Sequence, residues 1–370
     1  MRPRACRLIL ALAAAVAILP LAACGDRIDL DKSLIIQVLG LDTGTGRKIK
    51  TYYSAPTFTE QAQGSGAGEV FVEEEGNSLR RLRQKTTADS GANLLSGKIR
   101  IILISGRFLQ RHDLFQELNV LYRDPINPND AVLVYTETPI KDIFSVKWPL
   151  YPNVSTYIQE LLNSANRNGL GVLTTLERYN YLHFNRGMTP VFSEIEHIGG
   201  HLRVKGVVLL SKEGKRRARL TGQNTLLLLI LRNAAKTPAS YSFTADGAEI
   251  SFDILRSRTK IQTDYRNERF HFTVRVNVNV NLSEYTEERG YLDDRNEIVA
   301  AVTEELQARL GDVIRTCQKA GVDPIGFGMQ ARAHAYSQFK KVENRWPETF
   351  AKAEVQVIPD VRVKRFGIIK

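Results

Sequence analysis

Cysteine is scarce in this 370-residue chain, which carries only Cys6, Cys24 and Cys317. The first two lie in or at the edge of an N-terminal segment with its own logic, set out below. Cys317 is then alone, so no intramolecular disulfide is expected, and it reads as a small buried hydrophobe. Long apolar runs are also scarce. Leu226 to Leu231, bracketed by Thr225 and Arg232, is far too short to span a bilayer. Catalytic signatures are missing: there is no Gly-x-Ser-x-Gly, no phosphate-binding loop and no Cys-x-x-Cys. No internal repeat is visible. Gly64, Gly66 and Gly68 lack the Lys-Ser/Thr of a phosphate cradle and read as a flexible loop. Gly326-Phe-Gly-Met-Gln-Ala331 fits a dinucleotide fingerprint only formally, because a helix, Gly321 and Pro324 precede it where a strand is required. His197 and His201 stand four apart near Glu194 and Glu196, but Gly199-Gly200 breaks any helix that would align them on a metal. No metal and no cofactor are expected.

What is present begins at the N-terminus. Arg2, Arg4 and Arg7 precede a run from Leu8 to Ala23 that holds no charge. A charged start, an apolar stretch and small residues at its end make a secretory signal. The run is shorter than the ~20 residues of a membrane-spanning helix. It closes on Leu21-Ala22-Ala23-Cys24, a bacterial lipobox. The small alanines admit a protease, and only Cys24 offers a thiol to a diacylglyceryl group. The sequence therefore predicts a signal over 1–23, a tether over 24–33 and a globular body held at a phospholipid membrane by Cys24. Net charge is +11, and removal of the three N-terminal arginines leaves 48 basic against 40 acidic residues. A basic body beside anionic lipid gains about 1 kcal/mol per well-placed cation. Export argues against nucleic acid as a partner.

Periodicity gives the rest. Leu34 to Leu39 reads as a buried strand, and Ile49 to Tyr53 pairs back after the Asp42–Arg47 turn. A helix is expected from Asn77 or Ser78 through Thr86, a strand over Ile99–Ser105, a helix over Phe108–Tyr122 and a strand over Ala131–Thr136. Val154 to Asn166 reads as a helix, and Thr174 to Phe184 as helix or strand. Gly187, Pro190, Gly199 and Gly200 mark a boundary. Val204 to Leu210 and Ala218 to Leu220 make a hairpin, followed by a Leu-rich helix over Thr221–Arg232. From Phe270 to Leu282 apolar and polar residues alternate, the mark of a half-buried strand, and Ile250–Arg258 and Thr259–Tyr265 are its expected neighbours. A helix opening at Asp293 or Asp294 places Val299, Val302, Leu306, Leu310, Val313 and Cys317 on one stripe and stops at Gly321. A second helix is expected over Met329–Val342, then two short strands around Pro359. The fold class is α+β: two or three α/β domains, each a mixed, mostly antiparallel sheet packed with helices. The boundaries are an N-terminal domain over 34–198, in one lobe or two, and a C-terminal domain over 199–370.

Two residue groups stand out. Lys215, Arg216, Arg217 and Arg219 form a basic cluster at the hairpin tip, suited to a solvated turn, phospholipid or an acidic partner. Gln318, Asp323, Gly326, Gly328 and Trp346 punctuate the segment after the long helix, with Trp346 expected to pack on a neighbouring helix. This segment, running through Val322-Asp-Pro-Ile-Gly-Phe-Gly328, Trp346, Phe350, Val355-Gln-Val357 and Gly367, resembles the C-subunit of spore nutrient germinant receptors, the GerAC/Ger(x)C lipoproteins. The Val204–Leu210 hairpin with Leu220-Thr-Gly222 also fits. Gly40-Leu-Asp42, Ile99–Gly106 and Tyr122-Arg-Asp124 fit more loosely. Gly25 departs from the Trp usual after the lipidated cysteine. The resemblance implies α/β domains with mixed sheets and a non-enzymatic subunit on the outer face of the spore inner membrane. It also implies two integral membrane partners, the A and B subunits, and carries over no catalytic residue. The alternative is a lipid-anchored exported solute-binding protein or enzyme.

Overall fold

Ile101–Ser105 is apolar at four of its five positions and buried at all five, the pattern of a strand covered on both faces. It lies at the centre of the larger of two principal sheets. The structure, a computed structural model, describes residues 33–56, 68–147, 149–245, 247–285 and 295–365. Cys6, Leu21–Cys24, Gly25, Gly64, Gly66, Trp148, Asp293, Asp294 and Gly367 lie outside the described residues.

The elements in order are β1 (Ser33–Ile35), β2 (Val38–Thr43), β3 (Ile49–Pro56), β4 (Glu69–Gly76), α1 (Leu79–Ser90), β5 (Asn93–Leu95) and β6 (Ile101–Ser105). There follow α2 (Gly106–Arg111), α3 (Leu114–Arg123), β7 (Val132–Thr136), α4 (Ile140–Phe144), α5 (Val154–Arg167), α6 (Leu176–Phe184), β8 (Val191–Ile198), β9 (His201–Leu210), β10 (Arg216–Thr221) and α7 (Gln223–Leu231). The last third holds β11 (Ala239–Ala245), β12 (Ala248–Arg266), β13 (Arg269–Tyr285), α8 (Arg295–Ala320), α9 (Phe327–His334), α10 (Tyr336–Val342), α11 (Trp346–Ala351) and β14 (Glu354–Arg365).

An eight-stranded sheet runs β10-β9-β8-β7-β6-β2-β3-β4, parallel from β8 to β2 and antiparallel at both flanks. Phe108, Leu114, Leu118 and Tyr179 from α2, α3 and α6 cover one face, while Ile140, Ile143, Tyr157 and Ile158 from α4 and α5 cover the other. A four-stranded sheet runs β11-β12-β13-β14. Its inner face packs on α7 and α8 through Val274, Val276, Val278, Leu306, Leu310 and Cys317. Burial pushes the Cys317 thiol well above its usual range. Helix α7 is buried from Thr225 to Leu231 because it sits between β10, β12 and α8. That is why it is apolar all round.

This α+β arrangement of mixed, mostly antiparallel sheets is the class the sequence predicts. Several details differ. The strand over Leu34–Leu39 is two strands, with β1 parallel to β5. The helix over Phe108–Tyr122 breaks at Asp113, whose carboxylate accepts from the N–H groups of Phe115 and Gln116 and starts α3 afresh. The helix over Met329–Val342 is likewise two, α9 and α10. Ile250–Tyr265 is one continuous strand, and so is Glu354–Arg365. Pro359 interrupts nothing because β14 is an edge strand, where a missing N–H need not face a neighbour. In α8, Ile298 rather than Val299 is buried. Strand β8 has no counterpart in the sequence reading. The boundary expected at 198/199 falls in the β8–β9 turn, and both strands lie side by side in the larger sheet.

Candidate functional site

Helix α8 ends at Gly321, and the chain drives Val322, Asp323 and Ile325 into the core. The Asp323 side chain is fully buried and its two oxygens take four donors. Oδ1 accepts from the N–H groups of Gly326 at 2.7 Å and Phe327 at 3.1 Å. Oδ2 accepts from the N–H of Gly328 at 2.8 Å and from Trp346 Nε1 at 2.9 Å. The carboxylate thus satisfies the open N–H groups at the start of α9, where negative charge is also favoured by the helix dipole. Burial pushes the Asp323 carboxyl above its usual range, and the four donors pull against that rise. Gly326 holds φ at 99°, a conformation that favours glycine. A side chain at Gly328 would meet Gly187 Cα and Trp346 Nε1, both at 2.6 Å. Here two backbones touch, and the N–H of Thr189 donates to Asp323 O at 2.8 Å.

Gln318 and Trp346 complete the joint. Gln318 Nε2 donates to the carbonyls of Phe350 at 2.9 Å and Ala353 at 2.8 Å, fixing α11 to α8. The Trp346 ring lies among Phe270, Phe339 and Phe350. The structure therefore gathers Gln318, Asp323, Gly326, Gly328 and Trp346 into one cluster, all buried except the half-buried Gln318. The N–H groups that a phosphate would need at the Gly326–Ala331 turn are already held by Asp323. With four donors on two buried oxygens, that carboxylate has no free lone pair directed at solvent.

Of the four cations of the basic hairpin, Lys215 and Arg219 turn inward. Lys215 Nζ donates to the carbonyls of Leu109, Gln110 and His112 at 2.6, 3.1 and 3.1 Å, closing the end of α2. Lys212 does the same for α6 through Leu182 and His183, both at 3.0 Å, and through Asn185. Cations at helix C-termini match both the open carbonyls and the dipole. Burial and the charge of Arg186 pull the Lys212 ammonium down to about 8. Arg219 grips the buried Glu194 carboxylate with two nitrogens, Nη2 to Oε1 at 2.6 Å and Nε to Oε2. Arg216 lies 3.6 Å from Glu137, and Arg217 is exposed.

A second basic surface was missed in the sequence. Register places Lys260, Arg275 and Ile358 on one rung of the smaller sheet. Arg258, Asn277 and Asp360 form the next rung, and Arg256, Asn279 and Arg362 the third. Arg256, Arg258, Lys260, Arg275 and Arg362 are all exposed. The acid among them, Asp360, is engaged by Arg362 at 3.1 Å. His271, on the same polar face, lies 3.2 Å from Glu354. His197 and His201 flank the β8–β9 turn. Among the described residues no group of three or more His, Cys, Asp or Glu is spaced to hold a metal. No helix there is long and apolar enough to cross a membrane.

Two family models match the chain in succession. The spore germination protein N-terminal domain matches residues 26–197, and the spore germination B3/GerAC-like C-terminal domain matches residues 205–367. The chain belongs to the GerAC family. It is similar to spore germination protein B3 of Bacillus subtilis strain 168, 20% identical over 371 residues, covering 95% of this chain and 96% of that one. It is also similar to spore germination protein YndF of the same organism, 19% identical over 317 residues, covering 83% of this chain and 77% of YndF. The crystal structure of the GerBC protein shares the fold, with a TM-score of 0.61 at 16% identity over 92% of this chain and all of that one.

The two GerAC-family domains meet at the cluster already described. Asp323 and Gly328 lie in the C-terminal one, while Gly187 and Thr189 lie in the N-terminal one. Two outcomes follow from this geometry. Asp323→Asn replaces an acceptor by a donor facing N–H groups, and should cost about 2–4 kcal/mol in urea unfolding. An unchanged midpoint would remove the joint from its central place. Arg219→Ala strands a buried carboxylate and should cost about 3–5 kcal/mol, whereas the double variant Arg219→Met with Glu194→Met should recover most of that loss. Equal losses in the single and the double would contradict the pairing.

Proposed function

We propose that this chain is the lipid-anchored, non-enzymatic subunit of a spore nutrient germinant receptor. In this reading it assembles with two integral membrane subunits on the outer face of the spore inner membrane. The observation that carries it is the succession of two GerAC-family domains over nearly the whole chain, with an end-to-end likeness to spore germination protein B3. The physical organisation supports an assembly module. The signature residues build a buried joint between domains, with Asp323 spent on four internal donors. Exposed charge lies elsewhere, on the outer face of the smaller sheet. Such a face suits phospholipid headgroups or an acidic surface of a membrane partner, and Cys24 supplies the hold that brings it there. A single acyl chain binds a bilayer only marginally, so a two-chain diacylglyceryl group is the right kind of anchor.

The decisive experiment is affinity purification from solubilised spore membranes. The expected result is recovery of two integral membrane proteins with the wild-type chain, and a Cys24→Ala chain found in the soluble fraction. Recovery of the chain alone, or a variant held in the membrane as firmly as wild type, would sink the reading. For the basic face, Arg256→Gln, Arg258→Gln and Arg275→Gln together should lose about 3 kcal/mol, roughly 100-fold, of affinity for phosphatidylglycerol vesicles at low salt. Vesicle sedimentation measures this, and an unchanged affinity would assign the contact to another surface.

A further inference from the structure

A cavity of about 830 Å³ opens beside α1, α3 and the β1–β5 pair. Its interior is apolar, with Ile36, Leu39, Leu79, Leu94, Ile99 and Leu121 all buried in its wall. Its mouth is basic. Arg80 and Arg123 are exposed there and Arg83 is half-buried, against one acid, Asp124. Asp124 is taken by Arg83 at 3.1 Å. Arg123 donates to Asn119, an uncharged partner, at 2.6 Å. Arg80 makes no ion pair among the described residues, so the charges of Arg80 and Arg123 are left uncompensated. The wall also holds two buried polar side chains, Ser96 and Asn127, exposed by 5% and 8%. Ser96 Oγ and Asn127 Oδ1 have no hydrogen-bond partner among the described residues. Buried oxygens without partners are rare in folded proteins, and here they mark a place that an occupant or its waters complete.

We infer that this cavity binds a small amphipathic carboxylate, an apolar body closed by one carboxylate group. A volume of this size is ordinary for a small-molecule site, and an apolar lining with a few convergent polar groups is its usual composition. The apolar body fills the space against Leu79, Leu94 and Leu121, and the carboxylate meets Arg80 and Arg123 at the mouth. Guanidinium groups suit this head, since their planar fork matches a carboxylate. The inference does not rest on the receptor reading. It stands on the cavity and its basic rim.

The test is equilibrium dialysis of the full-length chain carrying Cys24→Ala, without detergent, against decanoate, decanol and decyltrimethylammonium. Decanoate should bind saturably and one to one, decanol at least about tenfold more weakly, and the cation not at all. Arg80→Gln with Arg123→Gln, two exposed positions that leave the core intact, should weaken decanoate roughly tenfold or more and leave decanol unchanged. Circular dichroism checks that this double variant is folded. No saturable binding of any probe would overturn the inference. So would equal binding of all three probes, or decanoate binding indifferent to the double variant.

Discussion

A carboxylate at the bottom of a core is costly. The penalty for removing one ion from water is several kcal/mol even after relaxation. Asp323 bears that cost because four N–H groups converge on it, each charge-assisted bond contributing about 1.5–3 kcal/mol. No other side chain fits. Glutamate is a methylene too long for the Gly326 turn, and asparagine has one acceptor oxygen where two are needed. Once Asp323 is in place, the start of α9, the orientation of Trp346 and the approach of Gly187 to Gly328 are all fixed. The aromatic packing of Trp346 on Phe270, Phe339 and Phe350 follows from the same bond.

Glu194, Lys212 and Lys215 follow the same pattern. Glu194 lies in β8 with Arg219 across the sheet in β10, and the residue opposite Glu194 in β9 is Gly206, which has no side chain. Lys212 and Lys215, at the two ends of one turn, each close a helix from the N-terminal half. The β9–β10 hairpin is therefore a fastener, rooted in the larger sheet and in the core of the smaller one. Charges used in this way are withdrawn from binding. Among the cations that stay exposed are those on the outer rungs of β12, β13 and β14.

How much of this was legible in the sequence depended on whether the deciding contact was local. The alternation of β13, the stripe of α8 from Val302 to Cys317 and the β9–β10 hairpin follow from periods of two and 3.6 residues and were legible. Strand β8 was not. Its Ser193 and Glu194 look solvent-facing, yet Ser193 bonds the backbone of Val172 and Glu194 bonds Arg219, partners distant in sequence. The helix expected over Phe108–Tyr122 continued an apolar stripe through Asp113, and only the cap shows that a new helix starts there. Lys215 and Arg219 resembled a surface patch because composition does not reveal direction. The rungs of Arg256, Arg258 and Arg275 needed a cross-strand register that no single strand contains. The five signature residues were recognisable as a pattern, but their meeting around one carboxylate is a tertiary fact.

Strand β14 sets the order in which the molecule can be made. It runs parallel to β13, with His271 beside Glu354 and Val278 beside Val361. Until β14 arrives, one edge of the long alternating strand has no partner. Pairings between residues so far apart in the chain form slowly, and an uncovered strand edge invites pairing with another molecule. The chain must therefore deliver α8 to α11 before the smaller sheet is covered. Proline in β14 then makes the finished edge a poor template for a further strand. The same strand that completes the fold also ends its exposure to aggregation.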